Sequence, residues 1–300
     1  MIKKSNDYQG SLYAILSGFL YGFVGYFGVS AIQEGLSVPT MLFWRFLVSS
    51  MVILLCILPQ LLRCQDSKLQ LLMAFMNGAI FYCVSTMLYF YACHYIGSGL
   101  AMVIFFTYPA LVMLLNYVIY RDPIPKTYYL AIVIILLGMM LFVDVNELHL
   151  DLIGVVLGTV SALFYAAYMV SSKKCTIAPG LSALLVSLGC MTTAFIFSLF
   201  NHSFSIPQAG KTWVNLAGIG IIATAVPILL LLRSLQLISS DKASILSVLE
   251  PVFVVIFGVL LLGETLKTKH GIGVMIVLSG ALLTLFSHRL ESKKVPEHPV

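Results

Sequence analysis

Apolar runs of roughly 20 residues, the length that spans a hydrocarbon core as helix, recur along this chain between short polar punctuations. Ten are read, at 10–32, 40–62, 69–92, 98–120, 126–143, 152–171, 181–200, 211–232, 240–262 and 269–286. They predict an all-α integral membrane protein with ten transmembrane helices and no soluble domain between them. Lys3 and Lys4 precede the first run, which is too long for a signal peptide and lacks a small-residue cleavage site. It is expected to be retained.

The pattern also repeats. The run 95–141 recurs without a gap as 237–283, laying Ile96 on Ile238, Ser98 on Ser240, Ala101 on Ala243, Pro109 on Pro251, Val112 on Val254, Asp122 on Glu264 and Gly138 on Gly280. Near the start of each copy, Gly10, Ser17 and Tyr21 correspond at a similar offset to Gly154, Ser161 and Tyr165. Residues 1–144 and 145–286 therefore read as two five-span repeats, followed by a charged, proline-bearing tail, 287–300, expected to be disordered. Five is odd, so the second copy is expected upside down relative to the first. Two halves related by a pseudo-two-fold axis in the membrane plane can exchange conformations around a midplane site, which is alternating access.

Composition agrees with a membrane protein: 60% of residues are apolar, 10% are charged and the mean hydropathy is +1.01. Charge placement orients it. With a cytoplasmic N-terminus, Lys3, Lys4, Arg63, Lys68, Arg121, Lys126, Lys173, Lys174, Arg233, Lys242, Arg289, Lys293 and Lys294 fall on the cytoplasmic side, against Lys211, Lys267 and Lys269 opposite, where Glu34, Asp144, Glu147 and Asp151 lie. That is the positive-inside pattern of a multi-pass protein with both termini cytoplasmic. The net charge of +5 is a topology signal, and no basic patch with interleaved aromatics points to nucleic acid.

Soluble-protein chemistry finds no foothold. The six cysteines form no CxxC pair and read as free thiols. The six histidines lack ligand spacing, so no metal is expected. Gly218, Gly220 and Ala223 spell a dinucleotide motif inside an apolar span with no strand before it. Neither a GxSxG elbow nor a phosphate-binding GK[ST] loop is present, so no cofactor and no enzymatic activity is expected.

Candidate site residues come from shared faces and from polar groups inside spans. Gly78, Tyr82, Ser85 and Tyr89 recur at three- and four-residue steps, as do Gly18, Tyr21, Gly22, Gly25 and Gly28, and Gly154, Gly158, Ser161, Tyr165 and Tyr168. The glycines read mainly as close-packing positions. The tyrosines sit away from the interfacial belts, and their hydroxyls need partners there. Glu250 stands where the first copy has Tyr108, and Arg45 stands where the second offers small or apolar residues near Ser187. Ionisable groups at such depth face a cavity or a partner; for Arg45, snorkelling to the outer surface is the other reading. Asn77 and Asn116 read as interhelical hydrogen-bonding glue. Pro109 and Pro251 are expected to kink the fourth and ninth spans symmetrically by orphaning the carbonyls of Phe105 and Ser247; Pro227 has no counterpart. The substrate-binding set is thus Tyr21, Arg45, Tyr82, Tyr89, Tyr108, Tyr165 and Glu250, with Glu250 a candidate for proton coupling.

Trp44, Arg45 and Phe46 in the second span, and Leu249, Glu250, Pro251, Val252 and Phe253 followed by Leu262, Gly263, Glu264 and Thr265, resemble the drug/metabolite transporter superfamily, specifically its EamA-type exporters. The resemblance implies a secondary transporter of the inner or cytoplasmic membrane, working outward on a small metabolite or drug-like compound. The first copy departs from the pattern with Arg121, Asp122 and Pro123. A same-fold exchanger of phosphorylated metabolites would need several cations converging on the cavity, where Arg233 and Lys242 are candidates at the edge. A polytopic membrane enzyme would need a nucleophile, acid-base pair or metal cluster near one interface.

Overall fold

Backbone groups in a bilayer core have no water to bond, so a long apolar run must satisfy them internally as helix. In the computed structural model, which describes residues 2–61, 66–121, 124–143, 151–262 and 268–291, all regular structure among those residues is helical. In chain order these are α1 (Ile2–Tyr21), α2 (Phe23–Gln33), α3 (Val38–Leu61), α4 (Lys68–Met76), a first π segment (Asn77–Tyr82), α5 (Cys83–Phe105), α6 (Tyr108–Tyr120) and α7 (Lys126–Met140). Then follow α8 (Leu152–Lys173), α9 (Pro179–Phe200), α10 (Gly210–Gly220), a second π segment (Ile221–Ala225), α11 (Val226–Leu237), α12 (Ser240–Ser247), α13 (Glu250–Leu262) and α14 (Thr268–Glu291).

Among the described residues, seven stretches are long and apolar enough to cross a membrane: Asn6–Gln33, Val38–Pro59, Lys68–Phe105, Leu152–Lys173, Pro179–Phe200, Gly210–Leu237 and Thr268–Leu285. The rest of the ten expected spans fall short for identifiable reasons. The fifth is the 15-residue α7, which rises about 22 Å against a core of about 30 Å. Within α5, Gly97 takes a left-handed φ of 76° that separates the third expected span from the fourth. The fourth then breaks again at Phe106 and Thr107, and the ninth at Val248 and Leu249, with Pro109 and Pro251 each the second residue of the helix that restarts. A proline ring is disallowed in a helix interior but fits the first turn, where its missing N–H is not needed.

Two features were not expected from hydropathy. The π segments fall at Gly78 and just after Gly220, where helices cross at backbone contact. A Cβ on Gly78 would overlap the Val186 backbone of α9, and one on Gly220 would lie 2.6 Å from Val48 Cγ1 and 3.1 Å from the Arg45 carbonyl of α3. The second π segment also accounts for Pro227, which begins α11 immediately beyond it. The last helix runs to Glu291, past the limit read from hydropathy, because α-helix continues where apolar character stops. The acidic pair Asp122 and Glu264, and Gly263, Thr265, Cys64 and residues 292–300, lie outside the described residues. The five described cysteines are free.

Packing between the two copies is reciprocal. Gly10 of α1 seats against Leu237 and Ile238, and Gly154 of α8 against Tyr95 and Ile96, the matching pair of the other copy. Ser17 Oγ donates to the Pro227 carbonyl at 2.9 Å, and Ser161 Oγ to the Ser85 carbonyl at 2.7 Å. On α7 and α14, Gly138 lies against Gly273 and Val277 while Gly280 lies against Ala131 and Ile135.

Candidate functional site

The breaks converge on the middle of the bundle. Tyr21 ends α1, Tyr82 ends the first π segment, Tyr108 opens α6 after its break and Glu250 opens α13 after the matching one. Tyr165 and Tyr168 come from α8, and Arg45 from α3. The rings form a chain: Phe46 to Tyr82 at 5.8 Å between centroids, Tyr82 to Tyr168 at 4.9 Å, Tyr165 to Tyr108 at 4.7 Å and Tyr165 to Phe105 at 5.2 Å. Each such pair contributes about 0.5–1.5 kcal/mol beyond area burial. The Tyr82 hydroxyl donates to that of Tyr21 at 3.2 Å, and the Tyr108 hydroxyl donates to the Ser244 carbonyl at 3.1 Å.

Tyr82 and Tyr89, read as one face, separate along the helix axis. Tyr82 enters the centre, whereas Tyr89 reaches it through Phe105, 5.1 Å away, and packs beside the smaller apolar cluster of Ala92, Ile96 and Ala101. The π segment ends at Tyr82, so it shifts the phase between Gly78 and Tyr82; from Tyr82 to Tyr89 the helix is regular and the two stay on one side of it, two turns apart.

Arg45 turns inward. It is 2% exposed, its guanidinium lies 5.2 Å from the Phe46 ring centroid, and Nε donates to Thr224 Oγ1 at 2.6 Å. Thr224 commits its own proton to the Ile219 carbonyl at 2.6 Å, which leaves its lone pairs for Arg45. The terminal Nη groups make no hydrogen bond among the described residues. Glu250 acts electrostatically with Arg45, Tyr82, Tyr89, Tyr108 and Tyr165, yet among the described residues no ion pair joins it to Arg45. Arg45 and Glu250 share this centre with no ion pair between them among the described residues, so both keep bonding capacity for a third party: an anionic group at Arg45, a hydrogen-bonding group at Glu250, and ring faces between.

Thr224 was missed by sequence reasoning, although it stands in register with Tyr82 in the other copy. Tyr168 was noted on its face but not chosen; its hydroxyl and Ser172 Oγ, one turn apart on α8 and close to each other, are buried with no other hydrogen-bond partner among the described residues. Asn77 and Asn116 do join helices: Ser171 Oγ donates to Asn77 Oδ1 at 2.7 Å, and Asn116 Nδ2 to Asp241 Oδ1 at 2.6 Å. Among the described residues, no group of three metal-ligating side chains comes together.

The Arg45 geometry gives a testable expectation. Replacing Thr224 by Val keeps the shape but strands a buried charged donor, a loss of about 1.5–3 kcal/mol for a hydrogen bond to a charged group. The thermal midpoint in detergent should fall for Thr224→Val and stay near the parent for Thr224→Ser. Equal midpoints for the two variants would mean that the Arg45 contact carries no stability.

Comparison with known proteins matches this architecture to one family. The EamA-like transporter family matches residues 8–144 and 152–286. An uncharacterized transporter of Clostridium kluyveri is 22% identical over 305 residues, covering 94% of this chain and 94% of the relative. One from Archaeoglobus fulgidus is 29% identical over 133 residues, and one from Bacillus subtilis is 24% identical over 190. The chain spans 47% and 61% of the lengths of those two relatives. A solved structure with 17% identity superposes with a TM-score of 0.76 over 94% of this chain and 98% of its own, so the fold is shared. Both copies, and with them the helices that carry Tyr21, Arg45, Tyr82, Tyr165 and Glu250, fall within the matched residues: this chain belongs to the EamA-like transporter family.

Proposed function

We propose that the protein is a secondary active transporter that moves a small metabolite, outward in the cell, through a central cavity between two inverted five-helix repeats, with ten crossings and both termini cytoplasmic. The observation that carries this reading is that Arg45 and Glu250, joined by no ion pair among the described residues, lie within a ring of tyrosines supplied by both copies. The reciprocal seating of Gly10 and Gly154, and the matched breaks before Pro109 and Pro251, support an exchange of roles between the copies. The repeats are assigned to 1–144 and 145–286. Tyr21, Tyr82, Tyr89, Tyr108, Tyr165, Arg45 and Glu250 contact substrate, and Pro109 and Pro251 set the kinks about which the copies rock.

A phosphorylated substrate is the weaker reading, because Lys242 is already paired with Asp7 at 2.8 Å, leaving Arg45 as the cation at the centre among the described residues. Binding of amino acids, nucleosides, phosphosugars and cationic dyes to the purified protein separates these classes. With the ligand so found, Tyr82→Phe should weaken affinity roughly three- to tenfold, the equivalent of about one hydrogen bond, at unchanged folded yield. If Tyr82→Phe binds and transports like the parent and only Tyr82→Ala fails, the ring is packing and the site lies elsewhere.

Orientation has its own test. An enzymatic reporter active only outside the cytoplasm, fused to the C-terminus, should be silent, given the excess of Lys and Arg on the N-terminal side of the bundle and an even number of crossings. Strong activity there would overturn the orientation or the count.

A further inference from the structure

The two ends of the bundle are built from equivalent pieces of the two copies but are fastened differently. At the end that holds the N-terminus, Lys242 of α12 is buried, with its side chain 3% exposed, and its Nζ meets both carboxylate oxygens of Asp7 on α1 at 2.8 Å. Beside it, Asn116 of α6 donates to Asp241 Oδ1 and, at 2.9 Å, to Ser240 Oγ of α12. Lys173 at the end of α8 donates to the Leu235 and Ile238 carbonyls at 2.6 and 2.8 Å, tying α8 to the C-terminus of α11. All three fastenings join the first copy to the second or span the seam beside it.

The register of the repeat gives the corresponding positions at the opposite end. Asp7 corresponds to Asp151, but Lys242 corresponds to Leu100; Asp241 corresponds to Gly99 and Lys173 to Val29. Asp151 is spent on its own helix, accepting from the Ile153 and Gly154 amides that begin α8. The seam there is apolar, with Leu100, Val155 and Leu157 packed around Ala92, Ile96 and Ala101. One duplicated interface therefore carries an ion pair whose lysine is buried and two carbonyl bonds, whereas its α5–α8 twin shows apolar contact among the described residues. Polar links at that end lie elsewhere, in Lys211–Glu34 at 3.7 Å, with the lysine 83% exposed, and in Lys269 Nζ donating to the Val143 carbonyl at 3.1 Å.

We propose that the Asp7–Lys242 pair is the latch of the cytoplasmic gate, the contact that must break for the cavity to open inward, and that among the described residues the matching α5–α8 seam has no ion pair with a buried partner, the Lys211–Glu34 pair at that end being solvent-exposed at its lysine. The proposal rests on the alternating-access reading and adds a bias to it: with no ligand bound, the protein rests closed at the cytoplasmic end. The geometry suits a latch more than a general brace. Lys242 is buried while Asp7 is 36% exposed, so removing Asp7 strands the buried ammonium whereas the intact pair contributes little net stability, and the pair sets which of two arrangements prevails. Asp7 lies near the free end of α1, one turn before the Gly10 seat on Leu237 and Ile238, where a helix end can swing away without disturbing Tyr21.

Hydrogen exchange read by mass spectrometry on the full chain in lipid nanodiscs tests this without a substrate. Local opening exposes amides in proportion to the open population, so Asp7→Asn should raise exchange across the N-terminal half of α1 and across α12 by about tenfold or more. The twin seam, 98–105 and the start of α8, should stay unchanged or slow. Should Asp7→Asn fail to fold, the charge-swapped double variant Asp7→Lys with Lys242→Asp should fold and return exchange at α12 to the parent level. No rise at α12, an equal rise at both ends, or a swap that does not restore the parent pattern would overturn the latch. A negative result together with labelling of Ser247→Cys by a membrane-impermeant thiol reagent from each face of sealed vesicles removes the latch and leaves the transport reading standing.

Discussion

Replacing Glu250 by Gln is expected to abolish proton-gradient-driven uptake into reconstituted vesicles while leaving substrate exchange at zero gradient intact. Glu250 is the first residue after the break in the ninth expected span, in the same centre as Arg45 and four of the tyrosines, with no ion pair to Arg45 among the described residues. An ionised group at this depth costs roughly 2.5–3.5 kcal/mol on the lenient insertion scale. A conformational change that admits or excludes water alters that cost, so the proton can be taken up in one state and released in the other. Gln keeps the size and hydrogen-bonding ability and removes only the exchangeable charge. A static acceptor for Arg45 or a tyrosine would predict damaged folding and unchanged gradient dependence. That outcome would remove Glu250 from coupling.

The largest effect on folding is expected at Gly78. Its Cβ position is filled by backbone atoms of Val186, and Gly189 answers from the other helix, where a Cβ would crowd the Phe75 carbonyl and lie 2.7 Å from the Ala79 amide nitrogen. Side chains can rotate away from an added methyl, but a helix backbone can only move as a body. Overpacking in a well-packed core costs typically 1–3 kcal/mol and sometimes more, and here the displaced element is α9. Gly78→Ala should therefore lose most of the folded, monodisperse yield. Gly271→Ala, where nothing lies within 4 Å of the added atom, should behave as the parent. Matching yields for the two variants would contradict the crossing.

Much of this was legible in the sequence because apolar run length and repeat register are one-dimensional signals. The helices, the Pro109 and Pro251 breaks and the reciprocal positions of Gly10 and Gly154 all follow from them. The π segments did not, since an extra residue in a turn leaves hydropathy unchanged while rotating everything beyond it, which here re-aims Tyr82 and Tyr89 together relative to Gly78. Thr224 was hidden because a small polar residue in an apolar span has no distinctive pattern, although its register with Tyr82 was a usable signal. Arg45 had two physically reasonable directions, and only the position of Thr224 chooses between them. Run length is least decisive at the fifth span, whose helix α7 has 15 residues and is shorter than the seven stretches long enough to cross among the described residues.

Alternating access is tested most directly by reaching the centre from each side in turn. Ser247 lies one turn before Glu250, is 3% exposed and tolerates the small change to cysteine. In vesicles of known orientation, a membrane-impermeant thiol reagent applied to one face at a time should modify Ser247→Cys from either face, as read by peptide mass spectrometry, while the vesicles stay sealed to small ions. Modification from one face only, under all conditions, or from both with the ions leaking freely, would contradict a cavity that opens to each side alternately.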